Sequence, residues 1–391
     1  MDMENNFDIK KYDKKVALGY KKIAGLNFNE RKTEELSALL CADLYFYGAL
    51  KKIPENAENV AAALREKTAD CKNSLNGENA VVYSEALFAL TEYHAAFGGE
   101  AERLAASKIA GAFAENFCFE AVDEKKPDKK TNDENATASE LFRSDCGENA
   151  FACMRGLVDY LCVSGDKKLS GLIKSGINTF FSRDIRGENF SLISAVRFLE
   201  GALAYAVYTG DGGLTGFVCS FAERCFIYGL GLNYSAKKSF AQTAGQSDTA
   251  ATASLFSLLL KLYSVCGETK FRDYSRRIWF NGLQFCQRED GGAGEDSLVT
   301  EESPELKATT YEDFTASCLY SEALCAYAAN KKYFENFGDG ITRDRFGRIF
   351  MGDKLFVRDQ SGFFGKDLIE VPTMTAFDKE TALQLRLKVC F

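Results

Sequence analysis

The side chains of this chain that could do chemistry are mainly carboxylates, amides and phenols. A Gly-Glu-Asn string recurs as Gly77-Glu78-Asn79, Gly147-Glu148-Asn149 and Gly187-Glu188-Asn189, and Gly245-Gln246-Ser247-Asp248 is a related start. Tyr234 lies before that last string, and Tyr311 and Asp313 precede another apolar segment. Carboxylates in such a set suit acid–base work. A carboxyl beside apolar surface keeps its proton and can protonate a leaving oxygen, while a second carboxylate serves as base or nucleophile. Asp248 and Glu188 are the expected catalytic pair. Glu78, Glu148, Asn149, Asn189, Gln246, Tyr234, Tyr311 and Asp313 are the expected ligand contacts. Sugar rings fit this set, because their faces pack on aromatics and their hydroxyls bond to acids and amides. A plainer reading stands beside it: Asn and Asp at these positions are helix caps that accept from first-turn N–H groups.

Other chemistries have little material. The single histidine, His94, cannot build a histidine metal site or, with its predicted place far from these strings, a Ser-His-Asp triad. The 13 cysteines are an odd number without a Cys-x-x-Cys, and read as reduced, mostly structural thiols. The glycine-rich run Asp290-Gly291-Gly292-Ala293-Gly294 lacks the Lys-Ser/Thr of a phosphate loop. No metal and no cofactor is expected. A net charge of −8 without a Lys/Arg stripe argues against nucleic acid. The polar start of the chain and the absence of a long uninterrupted apolar run point away from a leader or membrane span, and to a cytoplasmic protein.

Long helical patterns must position these groups. Glycine turns recur at Phe97-Gly98-Gly99-Glu100, Ser164-Gly165-Asp166-Lys167, Thr209-Gly210-Asp211-Gly212 and Cys266-Gly267-Glu268-Thr269. In each, glycine ends an apolar helix and an acidic residue opens an amphipathic one. Helices apolar on nearly every face belong inside, and amphipathic ones outside. The alternation predicts inner helices near 33–49, 79–97, 147–164, 189–209, 248–266 and 310–329. Outer helices fall near 8–24, 56–72, 99–117, 166–182, 212–228 and 268–288. Six such pairs make a closed, all-α (α/α)6 toroid over 1–330, an open solenoid being the alternative. Residues 331–391 read as a small β appendage packed on the barrel, with a hairpin at 348–357 and a strand at 383–389. Outer-to-inner connections are the long ones, so they share one end with the inner-helix N-termini, which places the carboxylates around one funnel.

Six helical hairpins of this kind resemble the six-hairpin glycosidase superfamily. Within 230–325, Gln246-Ser247-Asp248-Thr249-Ala250, Leu262-Tyr263, Gly267, Phe271-Arg272-Asp273, Arg276-Arg277 and Asn281-Gly282 are similar to a stretch of the β-L-arabinofuranosidase-type family. That family's Glu-x-Cys and Cys-Cys segments hold zinc, and one cysteine is its nucleophile. Here Gln246 and Asp248 replace the first segment and Ser317-Cys318 the second, so the resemblance does not carry the zinc or cysteine chemistry over. The six-hairpin resemblance, taken with the carboxylates at the inner-helix starts, leads to the expectation of a glycoside hydrolase that uses paired carboxylates on an oligosaccharide or glycoside. The alternatives are a non-catalytic sugar-binding or scaffolding toroid, and a lyase or epimerase, for which Tyr311 offers an acid–base group.

Overall fold

The computed structural model describes residues 14–51, 54–76, 79–117, 119, 148–182, 190–231, 234–240, 247–284, 286–294, 313–331 and 334, with strand segments at 297–298, 307–308, 341–343, 349–351, 354–357 and 369–371. Its inner helices are α2 (Thr33–Leu50), α5 (Ala80–Phe97), α7 (Met154–Ser164), α9 (Leu192–Thr209), α11 (Thr249–Cys266) and α13 (Phe314–Ala329). Consecutive members pack together, and α13 packs back on α2, so the inner wall is a closed ring. The open solenoid is thereby excluded. The outer wall is α1 (Lys14–Ala24), α3 (Ala57–Lys67), a short α4 (Cys71–Ser74), α6 (Glu100–Asn116), α8 (Ser170–Ser182), α10 (Gly212–Tyr228) and α12 (Thr269–Ile278).

The turn chemistry read from sequence is realised. Gly98, Gly165, Gly210 and Gly267 close α5, α7, α9 and α11 with φ of 75°, 68°, 71° and 72°. That left-handed conformation penalises any side chain with a Cβ. Asp166 and Asp211 then cap the following turns, accepting from Lys168 N and Leu214 N. His94 binds this end together, its Nδ1 lying 2.9 Å from the Gly99 carbonyl oxygen.

Several boundaries differ from the sequence periodicity. The third inner segment begins as a 3-10 turn, Glu148–Cys153, and the segment after Gly165 begins as another, Lys167–Leu169. The outer helix after Gly267 changes at Ile278 into a π turn, Trp279–Leu283. That turn seats the Trp279 ring on Tyr327 of α13, with centroids 4.1 Å apart. The glycine-rich run is explained by packing: Gly291 has φ of 95°, and a Cβ there would lie 2.3 Å from the Leu18 carbonyl oxygen of α1.

Near the C-terminus, Ile341–Arg343, Ile349–Met351, Lys354–Val357 and Ile369–Val371 pair antiparallel in chain order. The expected strand at 383–389 lies outside the described residues. Helices α9 and α11 are long and apolar enough to cross a membrane by composition alone, but both belong to the inner wall, and 72% and 67% of them is buried.

The inner helices approach closely at glycines. A Cβ on Gly156 of α7 would sit 2.1 Å from the Ser84 carbonyl oxygen of α5, and one on Gly201 of α9 would sit 2.6 Å from the Met154 carbonyl oxygen. Backbone cannot yield as a flexible side chain would. Gly156→Ala is therefore expected to destabilise by at least about 1–3 kcal/mol. Gly111→Ala, in α6 with nothing near its missing Cβ, is expected to stabilise by about 0.5–1 kcal/mol through helix propensity. Denaturant midpoints of the two variants check the contrast.

Candidate functional site

The N-termini of α11 and α13 are built alike at the long-connection end. Asp248 accepts from Ala251 N at 2.9 Å, and Asp313 accepts from Ala316 N at 2.6 Å. One turn further in, a hydroxyl pins the preceding connector. Thr252 Oγ1 accepts from Ala236 N at 2.8 Å and donates to the Asp248 carbonyl at 2.6 Å. Ser317 Oγ accepts from Ala293 N at 2.9 Å and donates to the Ala293 carbonyl at 3.1 Å. Aspartate is thus used as a cap at both starts, each residue being half-buried. Arg31 lies over the Phe314 ring, 4.2 Å from its centroid, and pairs with Glu35 at 2.9 Å, which joins α2 to α13 at this end.

The capping reading fails for Asn79. Its Oδ1 accepts from Asn76 N at 2.8 Å and its amide donates to the Ser74 carbonyl at 2.7 Å, so it orders the connector instead of the helix. Tyr234 is 5% exposed with φ of 58°, and its ring packs beside Phe226. Glu148 and Asn149 open the 3-10 turn before α7. Glu78, Glu188, Asn189, Gln246 and Tyr311 lie outside the described residues.

Below this mouth, side chains of all six inner helices meet in one ion network. Glu200 of α9 is its hub. Its Oε2 is 2.9 Å from Arg197 Nη1 and 3.7 Å from Arg155 Nε, and its Oε1 is 2.7 Å from Lys261 Nζ. Glu322 of α13 lies 3.3 Å from Lys261 and 3.5 Å from Arg197. Glu85 of α5 lies 3.6 Å from Arg155 and 3.9 Å from Arg197. Arg155 of α7 stacks on Phe88 of α5 at 3.7 Å and donates to the Tyr45 hydroxyl of α2. Three carboxylates thereby face three cations.

Burial sets the titration of these groups. It pushes the Glu85 carboxyl up, Arg155 pulling the other way and Glu200 adding to the rise. Glu322 is raised by burial and by Glu200, against Lys261 and Arg155. Asp159 of α7 is driven well up by burial and by the adjacent Glu92 of α5. Burial opposes the charge on Lys261, but Glu200 and Glu322 outweigh it and hold the ammonium protonated. Lys261 keeps 48% of its side chain accessible although protein surrounds it and it bonds to helices on either side. Glu85 is also partly open, at 22%. Arg155, Arg197, Glu200 and Glu322 are closed off at 3–4%.

Sequence periodicity marks α9 as carrying only Arg197 and Glu200 among its charges. It misses Glu85, Lys261 and Glu322 as their partners. Arg155 pairs with Glu85 and Glu200, on other helices. The available signal was the lone charge in an otherwise apolar inner helix, such as Lys261 in α11.

No family model matches the chain, and no curated protein matches it. Solved structures do share its fold. An unsaturated glucuronyl hydrolase specific for heparin has a TM-score of 0.56 at 13% identity, over 83% of this chain and 98% of that one. An inactive variant of an alpha-1,6-mannanase of Salegentibacter sp., in complex with alpha-1,6-mannotriose, has a TM-score of 0.57 at 10% identity, over 81% of this chain and 98% of that one. A GH127 beta-arabinofuranosidase has a TM-score of 0.50 at 14% identity, over 89% of this chain and 60% of that one. The architecture is therefore the (α/α)6 toroid that these structures share, and identity this low establishes the fold alone.

The network and the carboxyl pair generate two predictions. Glu200→Gln leaves three buried or lumenal cations short of their shared carboxylate, and is expected to destabilise by about 3–5 kcal/mol. Glu115→Gln removes the exposed 2.9 Å pair with Lys72 and is expected to change stability by less than about 1 kcal/mol. Urea unfolding checks both. Because the folded chain holds the Asp159 proton more tightly than the unfolded chain, that carboxyl contributes stability at low pH. The contribution is lost as pH rises from about 4 through the folded value. Asp159→Asn is expected to flatten the fall in Tm over that range, as read by thermal melts across pH.

Proposed function

We propose that this protein is carbohydrate-active and takes an oligosaccharide or glycoside at the long-connection end of its barrel. The observation that carries this reading is the closed inner ring, with the half-buried Asp248 and Asp313 at its mouth and the partly open Glu85 in its charged floor. The likeness to sugar-processing toroids, one of them a complex with mannotriose, supports the ligand class. On this reading the chemistry is glycosidic hydrolysis by two carboxylates. Asp248 and Glu188 are the pair, with Glu78, Glu148, Asn149, Asn189, Gln246, Tyr234, Tyr311 and Asp313 around the sugar. The barrel, 1–330, carries the activity, and 331–391 is an appendage to it.

A second reading is a toroid that binds sugar without cleaving it. The pairing of Glu200 and Glu322 with Arg197 and Lys261 favours it, since a carboxylate held by two cations is poorly placed to move a proton.

Asn caps a helix about as well as Asp but cannot titrate, whereas Ala does neither. Asp248→Ala is expected to lower stability by about 0.5–2 kcal/mol, and Asp248→Asn to leave it nearly unchanged. Both are expected to abolish hydrolysis of whichever glycan a binding screen identifies. Full activity in Asp248→Asn would reduce Asp248 to a cap. A glycan bound by the wild type but never cleaved would establish the binding toroid.

A further inference from the structure

At the opposite end of the barrel from the proposed sugar mouth, the fold assembles a group that sequence spacing does not reveal. Cys219 lies on outer helix α10, Cys266 is the last residue of inner helix α11, and Glu268 caps the start of outer helix α12. Two thiol sulfurs and one carboxylate oxygen fall within 4.8 Å of one another. Cys266 Sγ donates to the Leu262 carbonyl of its own helix at 3.0 Å, and the Cys219 thiol lies beside it. Cys219 and Cys225 share α10 without the spacing of a zinc motif. The fold brings Cys266 beside Cys219 because α10 packs on α11.

We propose that Cys219, Cys266 and Glu268 form a binding site for a thiophilic d10 divalent cation, zinc being the natural candidate. Thiolate sulfur and carboxylate oxygen are both ordinary zinc donors, and three protein ligands leave a fourth position for water. The left-handed turn at Gly267, φ 72°, folds Cys266 and Glu268 back beside each other. Cys266 also lies at a helix C-terminus, where the backbone carbonyls favour a cation. The group grades outward from a buried Cys219 through a half-buried Cys266 to an exposed Glu268, so an ion can enter without the core opening.

Binding releases the two thiol protons to solvent and forms metal–sulfur bonds, with no redox change. One side chain opposes it. Lys270 Nζ is 3.0 Å from Glu268 and 3.2 Å from Glu223. A bound cation must displace the ammonium from Glu268, and Glu223 is there to retain it. The ion would clip α10 to the α11–α12 turn and so join neighbouring hairpins of the ring.

The test is titration of the fully reduced full chain with cadmium, followed by its ultraviolet thiolate-to-metal charge-transfer band, and then zinc competition. The expected result is a saturable band at one equivalent per chain, reversed by zinc, that is lost in Cys219→Ser/Cys266→Ser. Glu268→Gln is expected to weaken zinc by at least about tenfold, the loss typical of even an outer-sphere partner. Lys270→Gln is expected to tighten it, an effect that no merely structural role for the lysine produces. Zinc is expected to raise the Tm of the wild type and not that of the double serine variant. Melting without zinc confirms that each variant is folded. A band of equal strength in the double variant, binding through exposed Cys162 in place of this pair, or no saturable band would overturn the proposal.

Discussion

Pairing Glu85, Glu200 and Glu322 with Arg155, Arg197 and Lys261 inside the ring of inner helices is the constraint on which the rest of this structure depends. Each ion would be costly to desolvate alone, and the attraction between them compensates only if the geometry is satisfied on all sides. Here every inner helix contributes a group, with Glu200 reaching Arg155, Arg197 and Lys261 and Tyr45 of α2 accepting from Arg155. The network is consequently a device for register. Sliding one inner helix by a turn would strand a charge, whereas apolar contacts alone would tolerate the slip. Close approach at Gly156 and Gly201 supports the same end, since it brings helices near enough for these short reaches.

The network also divides the lumen. Its most buried members, Arg155, Arg197, Glu200 and Glu322, are closed off from solvent, while Glu85 and Lys261 keep open surface. A ligand entering at the long-connection end would meet this network as a floor. The wall above it is made by capped helix starts, and the caps do two jobs. Asp248 and Asp313 satisfy orphan N–H groups, and they bring a carboxylate to the rim. Thr252 and Ser317 fix the connectors to the same turns, so the rim is held by hydrogen bonds to inner helices and not by loop packing alone.

The two ends of the barrel obey different rules. At the short-turn end, glycines in the left-handed conformation reverse the chain at once, so residues flanking a turn are forced together. Cys266 and Glu268 meet for that reason, and Cys219 joins them from the neighbouring helix. At the other end the connectors are longer and are ordered by side-chain hydrogen bonds. Chemistry at the first end is therefore a by-product of tight reversal, and at the second end of converging helix starts.

Much of the architecture was legible in the sequence because it is written in local physics. The glycine–acid turns fixed where apolar helices stop, and the contrast between α11, nearly free of charge, and α12, rich in it, separated inner from outer wall. The start of α7 and the end of α12 departed from periodicity, since 3-10 and π turns follow from packing such as Trp279 on Tyr327 and not from a helical repeat. Among the site residues, Asp248 and Asp313 were visible as helix starts. Asn79 was misread as a cap, because its connector offers closer donors than its own helix. The composition of α9 announced that Arg197 and Glu200 had to be neutralised inside, but not by whom. Glu85, Lys261 and Glu322 became their partners only when the inner helices packed together, and Cys266 became the partner of Cys219 when α10 packed on α11. Sequence alone determined the helices, their order and their buried faces, all set within a few residues by hydrogen bonding and hydrophobicity. Tertiary structure alone decided which charges and thiols meet, because Coulombic and ligand contacts depend on distances that exist only after the helices have packed against one another.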